Sequence, residues 1–342
     1  MKAKTLLFTL IIALGCAFIA TSCSKTASKE EMATGVVLIL NQSCYELKLN
    51  DSTSVYFSDY DEENGLQGLT FEPDSLELSV SYGTGFFVDN KGTIATNAHV
   101  VSGMSSKDST ILASDLISII QDSLEAIYNQ CDEEIQEIET AMDDPDLDQE
   151  DQATLRDYLL ALREQQDDYI AAYQYLDNID HSKASVEYYN EVSIAYNNSK
   201  VEDEGDFIKC EILTVNKDVD LALIRLEDQS TPAGRYVFDV PESEPEYLAD
   251  NQVLSMLGYN YGIELALTNE GIKLQINNGT ISQQTHDEIM YSIPALPGSS
   301  GSPVVNQDGE LCAINYAGLS ETQSFNYGIR TQHLRDLIAS IN

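Results

Sequence analysis

The 342-residue chain has no tryptophan, which by itself excludes little, and it is short of positive charge: 18 Lys and Arg stand against 57 Asp and Glu, a formal net charge of -39. So acidic a surface repels nucleic acid and anionic membrane faces, so neither is expected as a partner, and it favours solubility. Cysteine is scarce, and no spacing among Cys44, Cys131, Cys210 and Cys312 suggests a metal site or a redox pair, so single buried thiols are expected and neither metal nor cofactor is called for. The length allows one large or two small domains with a real core.

The N-terminal apolar run, Leu6 to Ala20, follows Lys2 and Lys4. It is too short for a comfortable membrane span and has the layout of an export signal. Cys16 and Cys23 each follow small residues of the kind that precede the lipidated cysteine of bacterial lipoproteins. Cys23 is preferred because it closes the apolar run and leaves the polar tract Ser24 to Glu31 as a tether, whereas Cys16 would leave Ala17 to Ala20 as an exposed apolar stub. The expectation is an exported cell-envelope lipoprotein, periplasmic or surface-exposed, anchored to the membrane through lipid on Cys23.

Beyond the tether, Gly35 to Ile39 reads as a buried strand, Tyr45 to Leu49 and Ser54 to Phe57 as further strands, and Asp59 to Gly65 as an acidic loop. Leu76 to Val80 and Gly83 to Val88 lead through a turn at Asp89 to Gly92 into Thr93 to Val101, a hairpin expected to deliver His99 at the end of a strand. Strand character returns at Val186 to Tyr196, Phe207 to Val215 and Leu221 to Leu226. Glu227 to Glu246 reads as a linker to the second half, where short strands between Val253 and Ile329 are dense enough for a barrel or sandwich. Thr331 to Ile341 has helical spacing.

Between these β regions the period changes. Ile117, Ile120, Leu124, Ile127, Cys131, Ile135, Ile138 and Met142 recur at threes and fours, as do most of Leu155, Leu159, Leu162, Tyr169, Tyr173 and Leu176. Two amphipathic helices follow, joined at Asp143 to Asp148 with Pro145 as breaker and an aspartate to cap the second. A short joint predicts an antiparallel helical hairpin. Its acidic outer face is an ordinary solvated surface or, on the sharper reading, a docking face for a protein partner.

The chemistry-bearing stretch is Pro297-Gly298-Ser299-Ser300-Gly301-Ser302-Pro303. Glycines bracket Ser300, so the backbone can take positive φ and present a hydroxyl and amide N–H groups at one tight turn. A serine hydroxyl is a poor nucleophile until a base takes its proton; neutral imidazole suits that task, and a carboxylate can hold the imidazole's other nitrogen. His99 and a carboxylate at the start of Leu221 to Leu226 complete such a set in the order His, Asp, Ser. Period two leaves Asp218 and Asp220 equivalent here.

Three segments, Gly83 to Val101 (GTGFFVDNKGTIATNAHVV), Asn216 to Leu226 (NKDVDLALIRL) and Pro297 to Asn315 (PGSSGSPVVNQDGELCAIN), together with Gly279 to Ser282 and Phe325 to Ile329, resemble the trypsin-like serine proteases, nearest the HtrA/Deg type. The resemblance implies an all-β protein of two six-stranded β-barrels with an inserted helical hairpin and a C-terminal helix. The expected division is 1–22 export signal, 23–34 tether, 35–108 with 181–230 first barrel, 109–180 hairpin, and 231–342 second barrel and helix. It also chooses Asp220 over Asp218, and implies His99 as general base, Asp220 as the acid that orients it, Ser300 as nucleophile, and the N–H groups of Gly298 and Ser300 as oxyanion hole.

Departures refine the expectation. Ser302 stands where many relatives have glycine, although a serine there also occurs in the glutamyl-endopeptidase branch; Ser299 replaces the usual Asp or Asn. Pro294 occupies the position of the aspartate that selects Arg and Lys in trypsin, so small or medium apolar side chains are the expected preference. Too few residues follow Ile329 for a PDZ domain, which counts against the oligomeric regulation of that type. The expected function is a serine endopeptidase acting on protein or peptide substrates through an acyl-enzyme; the alternative is a catalytically idle surface scaffold working through the hairpin. Fractionation checks the anchor: Cys23→Ala is expected to release the protein from membranes, and Cys16→Ala to leave it bound.

Overall fold

The computed structural model describes residues 27–50, 53–61, 65–103, 113–145, 147–243, 248–249, 252–318 and 325–341. The expected export signal and Cys23 lie outside the described residues. Part of the expected tether is helical: Ser28 Oγ accepts the Glu31 N–H at 3.2 Å and caps α1 (Lys29–Met32), which buries Met32 in the core. Ordered structure therefore begins before residue 35.

The first barrel is built from β1 (Val36–Asn50), β2 (Thr53–Phe57), β5 (Ser79–Phe87), β6 (Thr93–Thr96), β7 (Ser185–Tyr196), β8 (Ile208–Asn216) and β9 (Leu221–Leu226), with β3 (Asp59–Asp61) and β4 (Gly65–Gln67) forming a separate small ladder. The strands run in the order β1, β5, β6, β9, β8, β7, and β7 pairs back with β1 to close a six-stranded barrel, all of it antiparallel. β1 is the long member: it pairs β7 along most of its length, while its other edge pairs β5 in the first half and β2 in the second.

Both faces of β1 are buried, which is why its start is continuously apolar rather than alternating. Val36, Leu38 and Leu40 join one core cluster, Val37 and Ile39 another. The first cluster takes in Leu221 and Leu223 of β9 and Phe238 of the linker, and continues into Leu257, Tyr259, Ile314 and Ile329 of the second half. The Glu227 to Glu246 linker thus does more than cross: its Phe238 packs edge-on against Phe86, and its N–H donates to Phe87 O at 2.9 Å.

Three expectations change in detail. The strands expected at Gly35 to Ile39 and Tyr45 to Leu49 are one, because Asn41 and Ser43 between them are buried and stay in the ladder. The acidic loop expected at Asp59 to Gly65 begins with β3 and ends on the first residue of β4, which pairs back with it through Gln67. His99 does not close a strand: β6 ends at Thr96, and α2 (Ala98–Val101) carries it.

The helical hairpin enters between α2 and β7 as α3 (Ala113–Met142) and α4 (Gln149–Asn178). Asp148 caps α4, its Oδ1 accepting the N–H groups of Glu150 and Asp151 at 2.9 Å each. Its apolar stripe meets two different surroundings. Near the barrel, Leu116, Ile117, Ile120, Leu124 and Leu176 pack with Leu47, Leu49, Val55 and Phe57 of β1 and β2. Farther out, Cys131, Ile135, Ile138, Leu159 and Leu162 pack among the two helices themselves.

The second half contains β10 (Val253–Gly258), α5 (Ile263–Ala266), β11 (Leu267–Thr268), β12 (Gly271–Ile272), β13 (Gln275–Gln284), β14 (Glu288–Tyr291), β15 (Pro303–Val305), β16 (Leu311–Gly318) and β17 (Asn326–Arg330). β10, β13, β14, β17, β16 and β15 form a second closed barrel. The C-terminal helix, α6 (Thr331–Ala339), buries Leu334 and Leu337 in the cluster shared by both barrels. Cys44, Cys131 and Cys210 are free thiols; burial pushes Cys210 up to about 12, which keeps it protonated and inert.

The two-part hairpin gives a prediction. Leu176→Ala removes a fully buried side chain from the seam with the barrel and is expected to cost about 2–5 kcal/mol in chemical denaturation of the whole protein. Ile135→Ala, in the outer part, is expected to leave the barrel's unfolding midpoint unchanged while raising amide exchange in α3 and α4.

Candidate active site

Asp220 makes three hydrogen bonds here, two to His99 and one to Asn97. Asp220 Oδ2 lies 2.8 Å from His99 Nδ1, and Asp220 Oδ1 accepts the His99 main-chain N–H at 3.0 Å. Asn97 Nδ2 donates to the Asp220 carbonyl at 2.9 Å. The His99 N–H is one of the donors a helix start leaves unpaired, so the carboxylate satisfies the backbone and the ring at once. An ionised carboxylate can only accept, so the neutral imidazole carries its proton on Nδ1 and leaves Nε2 as acceptor. The His99 side chain is 44% exposed against 25% for Asp220: the ring is open to solvent while the carboxylate is held behind it.

The expectation that Asp218 and Asp220 share a strand face fails, because residues 217–220 form a turn ahead of β9. Asp220 sits at φ +50°, a conformation uncommon for a residue with a side chain, and Asp218 is exposed. Strain of this kind costs on the order of 1–3 kcal/mol and persists only where surrounding bonds over-determine it, as the three bonds to Asn97 and His99 do.

The Ser300 turn is gathered by hydrogen bonds from both barrels. Gly298 and Gly301 adopt φ +89° and +87°. A Cβ on Gly301 would lie 2.0 Å from Thr84 O and 2.4 Å from Thr96 Oγ1, so glycine is required by conformation and by space alike. Thr84 N–H donates to Ser300 O at 2.8 Å, Thr84 Oγ1 donates to Gly298 O at 2.9 Å, and Thr96 Oγ1 donates to Thr84 O at 2.8 Å. Thr96 lies three residues before His99, so the backbone that carries the imidazole and the loop that carries the hydroxyl are tied to the same threonine.

Within the turn, Ser299, Gly301 and Ser302 donate their N–H groups to Leu296 O, Asn315 O and Ser299 O. Among the described residues the N–H groups of Gly298 and Ser300 donate to nothing, and these are the two that the resemblance to trypsin-like proteases implies for an oxyanion hole. Pro297 O accepts the Tyr261 N–H at 2.6 Å; because the Pro297–Gly298 peptide is trans and planar, this turns the Gly298 N–H to the opposite side. No hydrogen bond joins Ser300 Oγ to His99 Nε2 among the described residues; the connection between them runs through Thr84 and Thr96. Pro294 contributes no charge, and its carbonyl accepts from Asn277 Nδ2 at 2.8 Å. Among the described residues no group of three or more His, Cys, Asp or Glu is placed to hold a metal ion.

Thr84, Asn97, Tyr261 and Asn315 belong to the site but did not emerge from the sequence. One signal was available: Thr84 lies between Gly83 and Gly85 inside a strand, a pattern that marks close approach of other groups. A Cβ on Gly83 would meet Val100 at 2.4 Å, and one on Gly85 would meet Ile94 at 2.6 Å.

Residues 177–314 match the trypsin-like peptidase domain, a stretch that includes Asp220, Gly298 and Ser300 and begins after His99. The structure is also similar to the crystal structure of the serine endoprotease from Yersinia pestis, at 12% sequence identity and a TM-score of 0.44, over 91% of this chain and 64% of that one. The matched stretch crosses from the first closed six-stranded barrel into the second, so the similarity to the trypsin-like peptidase domain extends over parts of both.

Gly301→Ala tests how firmly the turn is locked. Positive φ and the clash with a backbone carbonyl are expected to cost more than about 1 kcal/mol of stability, read as a fall in Tm, with the tie to Thr84 loosened.

Proposed function

We propose that the protein is a serine endopeptidase of the bacterial cell envelope, and that the observation carrying this reading is the His99–Asp220 pair with Nε2 left as acceptor. Ser300 Oγ attacks the peptide carbonyl carbon and gives its proton to His99 Nε2. The oxygen of the tetrahedral intermediate takes the negative charge and accepts the Gly298 and Ser300 N–H groups; each such donor is commonly worth about 2.7–4 kcal/mol in the transition state. His99 then protonates the departing amine, and a water deprotonated by the same nitrogen releases the acyl group from Ser300. Asp220 holds the tautomer and stabilises the imidazolium throughout.

Small or medium apolar residues before the scissile bond fit an uncharged position at Pro294. The envelope location rests on the export-type run Leu6 to Ala20 and on Cys23; no helix of the described residues is long and apolar enough to cross a membrane. The acidic hairpin is the surface for any protein partner.

Hydrolysis of an unfolded protein substrate by the purified chain is the test. Ser300→Ala is expected to abolish it, and Asp220→Asn to lower kcat by roughly 10⁴-fold with the fold intact, as loss of the tautomer-holding carboxylate does in such triads. Equal rates for the parent and Ser300→Ala, both folded, would move the reading to a scaffold.

A further inference from the structure

The Ser300 N–H is aimed by the peptide it belongs to, and the other end of that peptide is held by a side chain with no other evident purpose. Ser299 O accepts from Asn315 Nδ2 at 3.1 Å and from the Ser302 N–H at 3.1 Å. The Ser299–Ser300 peptide is trans, so a carbonyl pinned toward Asn315 turns the Ser300 N–H the opposite way, where among the described residues it donates to nothing.

Asn315 is itself locked. It is 2% exposed, on β16, and its main chain exchanges bonds with the loop, accepting from Gly301 N and donating to Ser302 O. Its Nδ2 faces Ser299 O and, at 3.3 Å, Ser299 Oγ. Since a carbonyl only accepts, the amide must present its NH2 there and its oxygen on the other side. On that side Tyr291 Oη lies 2.8 Å from Asn315 Oδ1. Tyr291 is fully buried, and burial holds its phenol protonated far into alkali, so its one hydrogen is kept; Tyr327 O lies 3.1 Å from the same hydroxyl, and Asn315 Oδ1 is the nearer acceptor.

Resting on the endopeptidase reading, we infer that Asn315, held by Tyr291, is a positioning residue for the oxyanion hole: it sets the direction of the Ser300 N–H by fixing the Ser299 carbonyl. A side chain that acts only on the peptide orientation affects the charged tetrahedral species more than the bound substrate, so its removal should appear in kcat rather than KM. Without Asn315 the Ser299–Ser300 peptide can rotate toward the orientation that turns its N–H away from the reacting carbonyl. Tyr291 acts one step further back, since without its hydroxyl the Asn315 amide can turn its oxygen toward Ser299 O and the two acceptors repel.

The experiment compares the parent chain with Asn315→Ala and Tyr291→Phe, using steady-state hydrolysis of a peptide substrate and the 13C signal of the hemiketal formed with a peptidyl trifluoromethyl ketone. Asn315→Ala is expected to lower kcat by about 10²–10³-fold, the size of losing one oxyanion donor, with KM within threefold and the hemiketal oxyanion titrating at higher pH. Tyr291→Phe is expected to lower kcat by about tenfold in the same pattern. An active parent with unchanged kcat and hemiketal titration in Asn315→Ala overturns this assignment alone, and an inert, folded parent overturns the endopeptidase reading and this one with it. Should Asn315→Ala not fold, Tyr291→Phe decides: a fall in kcat with constant KM supports the assignment, and an unchanged kcat overturns it.

Discussion

Thr84 is the point on which the site depends. It is fully buried where the two barrels meet, and its N–H and hydroxyl are engaged across that seam while its carbonyl is held within its own barrel. Its N–H holds Ser300 O and its hydroxyl hydrogen holds Gly298 O. Its hydroxyl oxygen accepts the Tyr259 N–H at the end of β10, and its carbonyl accepts Thr96 Oγ1. The hydroxyl thereby both donates and accepts, at a depth where an unmade bond would cost on the order of 1–3 kcal/mol. The imidazole and the serine come from different barrels, and this residue registers one against the other.

The same logic of over-determination runs through the rest of the site. Asp220 keeps an uncommon backbone conformation because Asn97 holds its carbonyl while His99 takes both carboxylate oxygens. The Ser300 turn keeps two positive-φ glycines because Thr84, Tyr261 and Asn315 between them hold its carbonyls and the Gly301 amide. The helical hairpin, by contrast, is attached at one end. Its inner half shares a core with β1 and β2, and its outer half is held mainly by helix against helix. Both ends of the insertion return to the same barrel, so its 30-residue helices can extend without displacing the strands that frame His99, Asp220 and Ser300.

Periodicity and turn chemistry sufficed for the elements whose surroundings are uniform. The helical repeat from Ile117 to Leu176 and the aspartate cap at Asp148 were readable because one face of each helix is apolar and the other acidic. The two barrels were not distinguishable from a sandwich by strand spacing alone; closure rests on β7 returning to β1 across 12 register pairs, a long-range fact that leaves no local mark. Gly35 to Ile39 and Tyr45 to Leu49 looked like separate strands because the buried Asn41 and Ser43 between them are polar, and their pairing with β5 on one side and β7 on the other keeps them in the ladder. At the site, the side chains that bring chemistry stood out by type and motif. Those that aim it, such as Thr84, Asn97 and Asn315, are ordinary small polar residues whose importance lies in which carbonyl or amide they reach. The choice between Asp218 and Asp220 shows the same limit, since a period-two argument has no force in a turn.

The central claim is that Ser300 is an activated nucleophile, and its most direct measure is covalent capture. The purified protein should react with a fluorophosphonate to give a single adduct, mapped by mass spectrometry to the peptide containing Ser300. A folded protein that forms no adduct from mildly acidic to alkaline pH, or one labelled at another residue with Ser300 unmodified, would contradict the account.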